Sequence, residues 1–543
     1  MTAPFPTHDV DNQPPEFAGR DLWADDIALR EAVEREGAVV FRGPLEAYGR
    51  LAGGDLLRLS FDAHRDRPRL RTHDRFGHRL DLVEFHPNYH AVMASAIEHG
   101  VSALSWRDDR PGSHVARAAL SYLHGQAEPG SSCPLTMTHA AVPVLRREAT
   151  LHEWAAKATV PHYDPGDVPI GRKRGVTLGM GMTEKQGGSD VRANTTRAVP
   201  SSGEGGYTLV GHKWFFSAPM SDGFLVLAQA PGGLSCFLMP RWRPDGTRNA
   251  FRLMRLKDKL GDWSNASSEV EFDGAWAHRV GDEGRGVATI IEMVMLTRLD
   301  CMLGSSALMR MALAQAVHHA RHRHAFGKAL AAHALMQNVL ADLALEAEAS
   351  LAFSLRVARA VDRSGGDARE AALARIATAI GKFHICKRAP AFVNEAQECL
   401  GGAGYVEESL LPRLYRQAPL NSIWEGSGNI QCLDVLRALS REPETRAAFL
   451  AELEAASGLD PAFERELAAL RTELVHASAA EAGARRLVER MALALQASVL
   501  LRAASPVAEL FCRSRLGGER GQAFGTLPGD ARFTSLIDRA LPE

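Results

Sequence analysis

The chain has no run of about 18 uninterrupted apolar residues, so no transmembrane helix is expected. Residues 1–17 carry proline and acids with no basic stretch leading into an apolar core, so no secretory leader is expected, and the two absences together point to the cytoplasm. Charge of one sign is missing as well: 63 Lys and Arg stand against 65 Asp and Glu, and a net charge of −2 gives no global attraction to nucleic acid or anionic lipid. Any such binding must come from a local patch. Cysteine is scarce, scattered and odd in number (Cys133, Cys236, Cys301, Cys386, Cys399, Cys432 and Cys512), without Cys-x-x-Cys or an adjacent metal-spaced His pair. Reduced, buried thiols are expected, with no disulfide and no metal. Internal repeats and long low-complexity tracts are absent too.

What is present is ordinary globular composition, 45% hydrophobic and 24% charged, over 543 residues, enough for about three or four domains. Residues 26–156 read as mainly helical, interrupted at 65–79 by a segment dense in Arg, His and Asp. Between 176 and 272, short β-prone runs (195–199, 207–210, 224–228, 235–239 and 269–272) alternate with Gly, Ser, Asn and Asp turn signals, the pattern of a compact β-domain. Helical periodicity returns after Gly286. Met336, Leu340, Leu343, Ala347, Leu351, Leu355 and Ala358 line one face, Ser364-Gly-Gly-Asp (364–367) ends that helix, and an Ala-rich helix follows to about residue 391. Two long antiparallel helices of a bundle are implied. The fold class is therefore α+β, mainly α, in four parts: 1–175 helical, 176–285 β, 286–445 a helical bundle and 446–543 a further helical appendage.

Five short constellations could carry chemistry. Met-Thr-Glu-Lys-Gln-Gly-Gly-Ser-Asp (182–190) pairs two glycines, which let backbone approach a ligand, with the hydroxyls of Thr183 and Ser189; it also reads as a plain hairpin. Gly-His-Lys-Trp-Phe-Phe-Ser (211–217) offers planar aromatics to a flat cofactor, or simply to a core. In Arg-His-Ala-Phe-Gly-Lys (323–328) basic residues end a helix, as the macrodipole favours, and Arg323 also suits a diphosphate. Leu-Gly-Gly-Ala-Gly-Tyr (400–405) is a Gly-rich break after a helix. In Ile-Trp-Glu-Gly-Ser-Gly-Asn (423–429) Glu425 sits between a large aromatic and flexible glycines; set against apolar surface it would be a better proton acceptor, and in water merely a loop acid.

Taken together, and with Leu-Lys-Asp-Lys-Leu-Gly (256–261) and Ser-Asn-Ala-Ser (264–267), these segments resemble the acyl-CoA dehydrogenase superfamily over nearly the whole chain, most closely the branch of the alkylation-response protein AidB. The resemblance implies an N-terminal helical domain, a central β-domain, a C-terminal four-helix bundle and an additional C-terminal helical domain. It implies FAD held between the domains and completed by a neighbouring subunit, in a homotetramer that is a dimer of dimers. Met182, Thr183, Ser189 and Phe215 to Ser217 match positions that contact the flavin ring and diphosphate, with Ser217 near flavin N5. Arg323, Phe326, Gly401 and Gly402 match positions on the ADP half across the interface, and Ser427 and Asn429 match flanking contacts. Glu425 falls where most members place the catalytic base. The alternative position used by isovaleryl-CoA dehydrogenases is Thr297, beside Arg298, and carries no carboxylate.

The implied reaction is α,β-dehydrogenation of a short or branched acyl-CoA thioester, with a separate electron acceptor. Two residues depart from the pattern: Glu398 stands where Gln is common, and Trp263 where Arg is common, so that its indole would narrow the acyl or CoA channel; Trp263 and Arg298 are the candidate substrate contacts. The branch also brings a second expectation, double-stranded DNA binding with weak or vestigial dehydrogenase activity. Residues 485–520 hold seven Arg against three acids, and Arg437, Arg485, Arg486, Arg490, Arg513 and Arg515 are the candidate phosphate contacts.

Overall fold

The computed structural model describes residues 7–201, 206–475 and 481–542. Residues 1–6, on which the leader reading partly rests, lie outside the described residues. The N-terminal part is helical around α1 (Ser113–Ala127) and α2 (Ser132–Arg146), both buried on nearly every face. Its Arg-rich interruption is a hairpin, β1 (Arg69–His73) and β2 (Arg79–Glu84), with Arg71 opposite Leu82. Charged residues at alternate, exposed positions hid this ladder from a hydrophobicity pattern.

The central domain holds seven strands: β3 (Leu178–Gly181), β4 (Arg197–Pro200), β5 (Gly206–Ser217), β6 (Gly223–Ala230), β7 (Gly233–Pro240), β8 (Phe251–Leu256) and β9 (Ser267–Val280). They run in the order β3-β6-β4-β5-β9-β7, β8 pairs with β9, and pairing of β6 with β7 closes the sheet on itself. The apolar alternation of Phe216, Phe224, Phe237 and Phe272 fills the interior. Two strands escaped the sequence pattern. β3 is half glycine because its Gly179 lies against the Phe224 ring, where a Cβ would come within 2.5 Å, and β8 alternates buried Phe251 and Leu253 with exposed Arg252 and Met254.

The bundle is built on α3 (Gly286–His322), α4 (Ala334–Arg363), α5 (Ala368–Glu398) and α6 (Gly428–Arg441). The predicted stripe on α4 is buried from Leu340 to Ala358, with Met336 half-buried at its start, and Asp367 caps α5 by accepting hydrogen bonds from the Arg369 and Glu370 N–H groups. α5 does not stop at residue 391 but runs through Pro390, because Phe392, Val393 and Ala396 beyond it are buried. The last segment adds α7 (Pro443–Glu454), α8 (Pro461–Glu473), α9 (Ala484–Arg502) and α10 (Phe533–Ala540). The small, apolar face of α9 packs on α4 and α5, and its core is continuous with that of the bundle. Among the described residues no helix is long and apolar enough to cross a membrane, and no His, Cys, Asp or Glu group converges as a metal site.

Candidate active site

Glu425 occupies the turn between a short 3₁₀ segment (Leu420–Ser422) and α6, with a positive φ of 58° that a non-glycine residue adopts only when its surroundings hold it there. Three side chains do so. Lys382 of α5, 1% exposed, donates to the Trp424 carbonyl at 2.6 Å and also to that of Gly426. Arg298 of α3 donates to the Glu425 carbonyl at 3.1 Å and to Asp434 at 2.8 Å. Gln431 donates to the Glu425 carbonyl at 3.1 Å and the Gly426 carbonyl at 3.0 Å. All three consecutive carbonyls thus accept hydrogen bonds from buried side chains. Its carboxyl accepts a hydrogen bond from the Thr297 hydroxyl at 2.6 Å. Burial pushes the carboxyl above the usual carboxylate range, and the Thr297 hydrogen bond and the charges of Lys382 and Arg298 only partly offset it. A carboxyl so placed is an effective proton acceptor near neutral pH.

The strand-end motifs meet this loop. Trp424 and Met182 pack on the same apolar cluster around Cys133 and Met137. The Cys133 thiol, pushed up by burial, lies within electrostatic reach of both Asp262 and Glu425. Ser217 at the end of β5 faces Ser267 on β9, hydroxyl to hydroxyl at 3.3 Å, and Lys259 ties Ser267 to Asp262 and the Asn265 carbonyl. Arg298, the residue next to Thr297 and a candidate substrate contact from the sequence, is committed to the Glu425 carbonyl and Asp434. Trp263 stacks on His64 with ring centres 4.7 Å apart, and the guanidinium groups of Arg67 and Arg416 lie over its ring at 3.6 and 4.2 Å.

One pair was not foreseen. Glu184 and Lys213, one from each of the two β-domain motifs, form a fully buried ion pair at 2.8 Å. Burial pulls Lys213 down to about 8 despite that pairing; burial of Glu184 is outweighed by hydrogen bonds from Lys213 and Thr196, which hold its carboxyl well below the usual range. Glu184 also accepts hydrogen bonds from the Thr195 N–H and the Gln186 amide, so the glycine loop is anchored by its own acid. Opposite charges 29 positions apart were the available signal in the sequence.

The remaining motif residues stand open. Phe215 is half exposed and Phe326, at φ 52° in the small hairpin after α3, is 97% exposed. Gly401, at φ 59°, has nothing within 4 Å of where a Cβ would sit, and the same holds for Gly402. Arg323 donates to the Asn12 carbonyl at 2.6 Å, and Glu398 is exposed. Among the described residues the hydroxyls of Thr183, Ser189 and Ser427 and the amide of Asn429 make no side-chain hydrogen bond. Unpartnered hydroxyls, open glycines and exposed aromatics form a donor set that fits a planar cofactor with a diphosphate arm.

The candidate phosphate contacts divide. Arg515 is buried between Asp342 and Glu346, so its guanidinium cannot reach a DNA backbone, a correction to the sequence reading. Arg490 is engaged by Glu466 and Glu473, and Arg513 by Glu519 and Asp530. Arg437, Arg485 and Arg486 are exposed.

Residues 12–165 match the family described as adaptive response protein AidB N-terminal domain. Residues 179–275 match the acyl-CoA dehydrogenase middle domain, and 284–440 its C-terminal domain. The chain is 48% identical to AidB of Escherichia coli over 519 residues, 95% of each protein. It is 31% identical to acyl-CoA dehydrogenase family member 11 of Caenorhabditis elegans over 78% of this chain and 71% of that one. The crystal structure of Caenorhabditis elegans ACDH-11 in complex with C11-CoA superposes with a TM-score of 0.85 at 26% identity, covering 100% of this chain and 94% of that one.

Proposed function

The chain belongs to the acyl-CoA dehydrogenase family, in its AidB branch, and on that premise we propose that this oxidoreductase dehydrogenates short or branched acyl-CoA thioesters between the α and β carbons, with FAD as cofactor and Glu425 as general base. The observation that carries the reading is the Glu425 carboxyl, held by its backbone and raised above its usual range by burial. The C11-CoA bound to the Caenorhabditis elegans relative supports an acyl-CoA as the ligand class. FAD, when bound, supplies the acceptor for the two electrons that leave with the β-hydrogen. Met182, Thr183, Ser189, Phe215 and Ser217 would hold its ring and diphosphate, and Ser427 and Asn429 flank it. Arg323, Phe326, Gly401 and Gly402 would serve the ADP half of a neighbouring copy, in a homotetramer. Glu425 takes the proton from the carbon α to the thioester, and Trp263, with the guanidinium groups of Arg67 and Arg416 over its ring, limits the width available to the acyl chain. The setting is cytoplasmic, and a separate acceptor reoxidises the enzyme.

The test is an anaerobic stopped-flow mix of the FAD-loaded protein with a panel of short and branched acyl-CoA thioesters. Rapid flavin bleaching with one of them is expected, and Glu425→Gln should keep FAD while losing about 10²- to 10⁴-fold in bleaching rate. A near-normal rate in Glu425→Gln would overturn the role of that residue.

A second reading, sequence-independent binding of double-stranded DNA linked to the alkylation response, is favoured by the exposed Arg437, Arg485 and Arg486. It requires affinity that falls with salt, and affinity indifferent to salt would remove it.

A further inference from the structure

Thr297 lies on α3, 2% exposed, with its hydroxyl between two acceptors: the Glu425 carboxyl oxygen at 2.6 Å and the Val294 carbonyl oxygen at 3.0 Å. A hydroxyl has one proton and two lone pairs, so it cannot donate to both at once. Two arrangements leave every atom satisfied. With Glu425 ionised, Thr297 donates to the carboxylate. With Glu425 protonated, the carboxyl O–H donates to Thr297 Oγ1, and the Thr297 O–H turns to Val294.

We propose that Thr297 is the positioning residue of the base, a hydroxyl that reverses its hydrogen bond and so keeps the Glu425 carboxyl in one place whether or not it carries a proton. The proposal rests on the reading of Glu425 as base. The groups facing Glu425 are Lys382 from α5, Arg298 and Cys301 from α3, and Cys133 from α2. Both cations donate to backbone carbonyls of the loop and act on the carboxylate only through their field. Thr297 is therefore the one side chain among the described residues that donates a hydrogen bond to it. The chemistry needs both arrangements in turn. The C–H bond at the α carbon breaks, its proton forms the O–H of Glu425, and the electron pair stays with the substrate. The new acid then needs an acceptor where the anion had a donor, and Thr297 Oγ1 supplies it without any movement of the carboxyl. The position that resembles the alternative base site of isovaleryl-type enzymes thus serves the base that is present.

The sign of the pH effect follows. Removing the donor to the anion raises the carboxyl further above its usual range, so Glu425 is ionised only at higher pH. In Thr297→Val the acid limb of kcat/KM for flavin bleaching should move up by about one pH unit, roughly a tenfold loss below the limb, while Thr297→Ser returns it towards the native position. A loss of the same factor at every pH, with the limb unmoved, overturns the proposal in favour of a structural role. Thr297→Ala repeats the measurement should Val misfold. A second readout does not depend on turnover: the infrared titration of the Glu425 carboxyl in FAD-loaded protein without thioester, taken as a difference against Glu425→Gln. A higher midpoint in Thr297→Val is expected, and an unchanged midpoint overturns the inference. Should the native protein bleach with no thioester, the dehydrogenase reading fails and the infrared titration still decides the role of Thr297.

Discussion

The loop at 424–426 and the edges at 323–328 and 401–405 carry motifs of equal prominence in the sequence, yet their surroundings are opposite. In the first, three consecutive carbonyls are held by Lys382, Arg298 and Gln431, and the one carboxyl has its own donor. In the second, Phe326 projects into solvent and Gly401 and Gly402 border open space. A single chain satisfies the polar groups of the 424–426 loop by itself and leaves the edges at 323–328 and 401–405 uncovered. Buried polar groups must be satisfied when the chain folds, whereas exposed ones can wait for a ligand or a second copy.

The largest expected effect breaks the closed side. Lys382→Met leaves the Trp424 carbonyl without its donor, while Gln431 still serves that of Gly426, and should cost about 2 to 3 kcal/mol of stability, read from chemical denaturation, together with a slower flavin-bleaching step. Loss of stability without slower bleaching would show that the loop keeps its shape unaided. On the open side the pattern should reverse. Phe326→Ala should alter folding stability by less than about 0.5 kcal/mol while weakening FAD retention about tenfold, measured by equilibrium dialysis. A destabilised fold with normal FAD retention would erase the distinction between the two regions. The smallest effect concerns the outer arginines: in the paired change Arg485→Ala with Arg486→Ala, the slope of log affinity for double-stranded DNA against log salt should fall by about 2, with melting unchanged. Native slope in that variant would remove these residues from the DNA reading.

Most of the architecture was legible because it rests on periodicity. The stripe from Met336 to Ala358, the turn at 364–367 and five of the central strands were visible as patterns, and the 421–429 motif gave Glu425. The misses share a cause: their meaning depends on partners far away in the chain. Lys382 reads as one more polar residue in an Ala-rich helix, since its acceptor is 42 positions away. Arg515 counted towards a local positive excess, while the acids that bury it lie 173 and 169 positions upstream. Composition sums charge along the chain, but the fold pairs it across the chain. β8 and the hairpin of β1 and β2 were hidden because exposed arginines (Arg252 and Arg255 in β8, Arg69 and Arg71 in β1, Arg79 in β2) lower the mean hydropathy of a strand without changing its backbone pairing.

The hydrogen-bonded carbonyls around Glu425 have a consequence for how such a chain changes over generations. Lys382, Arg298 and Gln431 bind the backbone at 424–426 and leave the side chain at 425 without a structural duty beyond the hydroxyl of Thr297. The shape of the loop is therefore inherited separately from the side chain at 425. A lineage can exchange the acid for another side chain tolerant of positive φ and keep a folded protein, so that the scaffold outlives whatever chemistry stands at that position and is free to be recruited for another task.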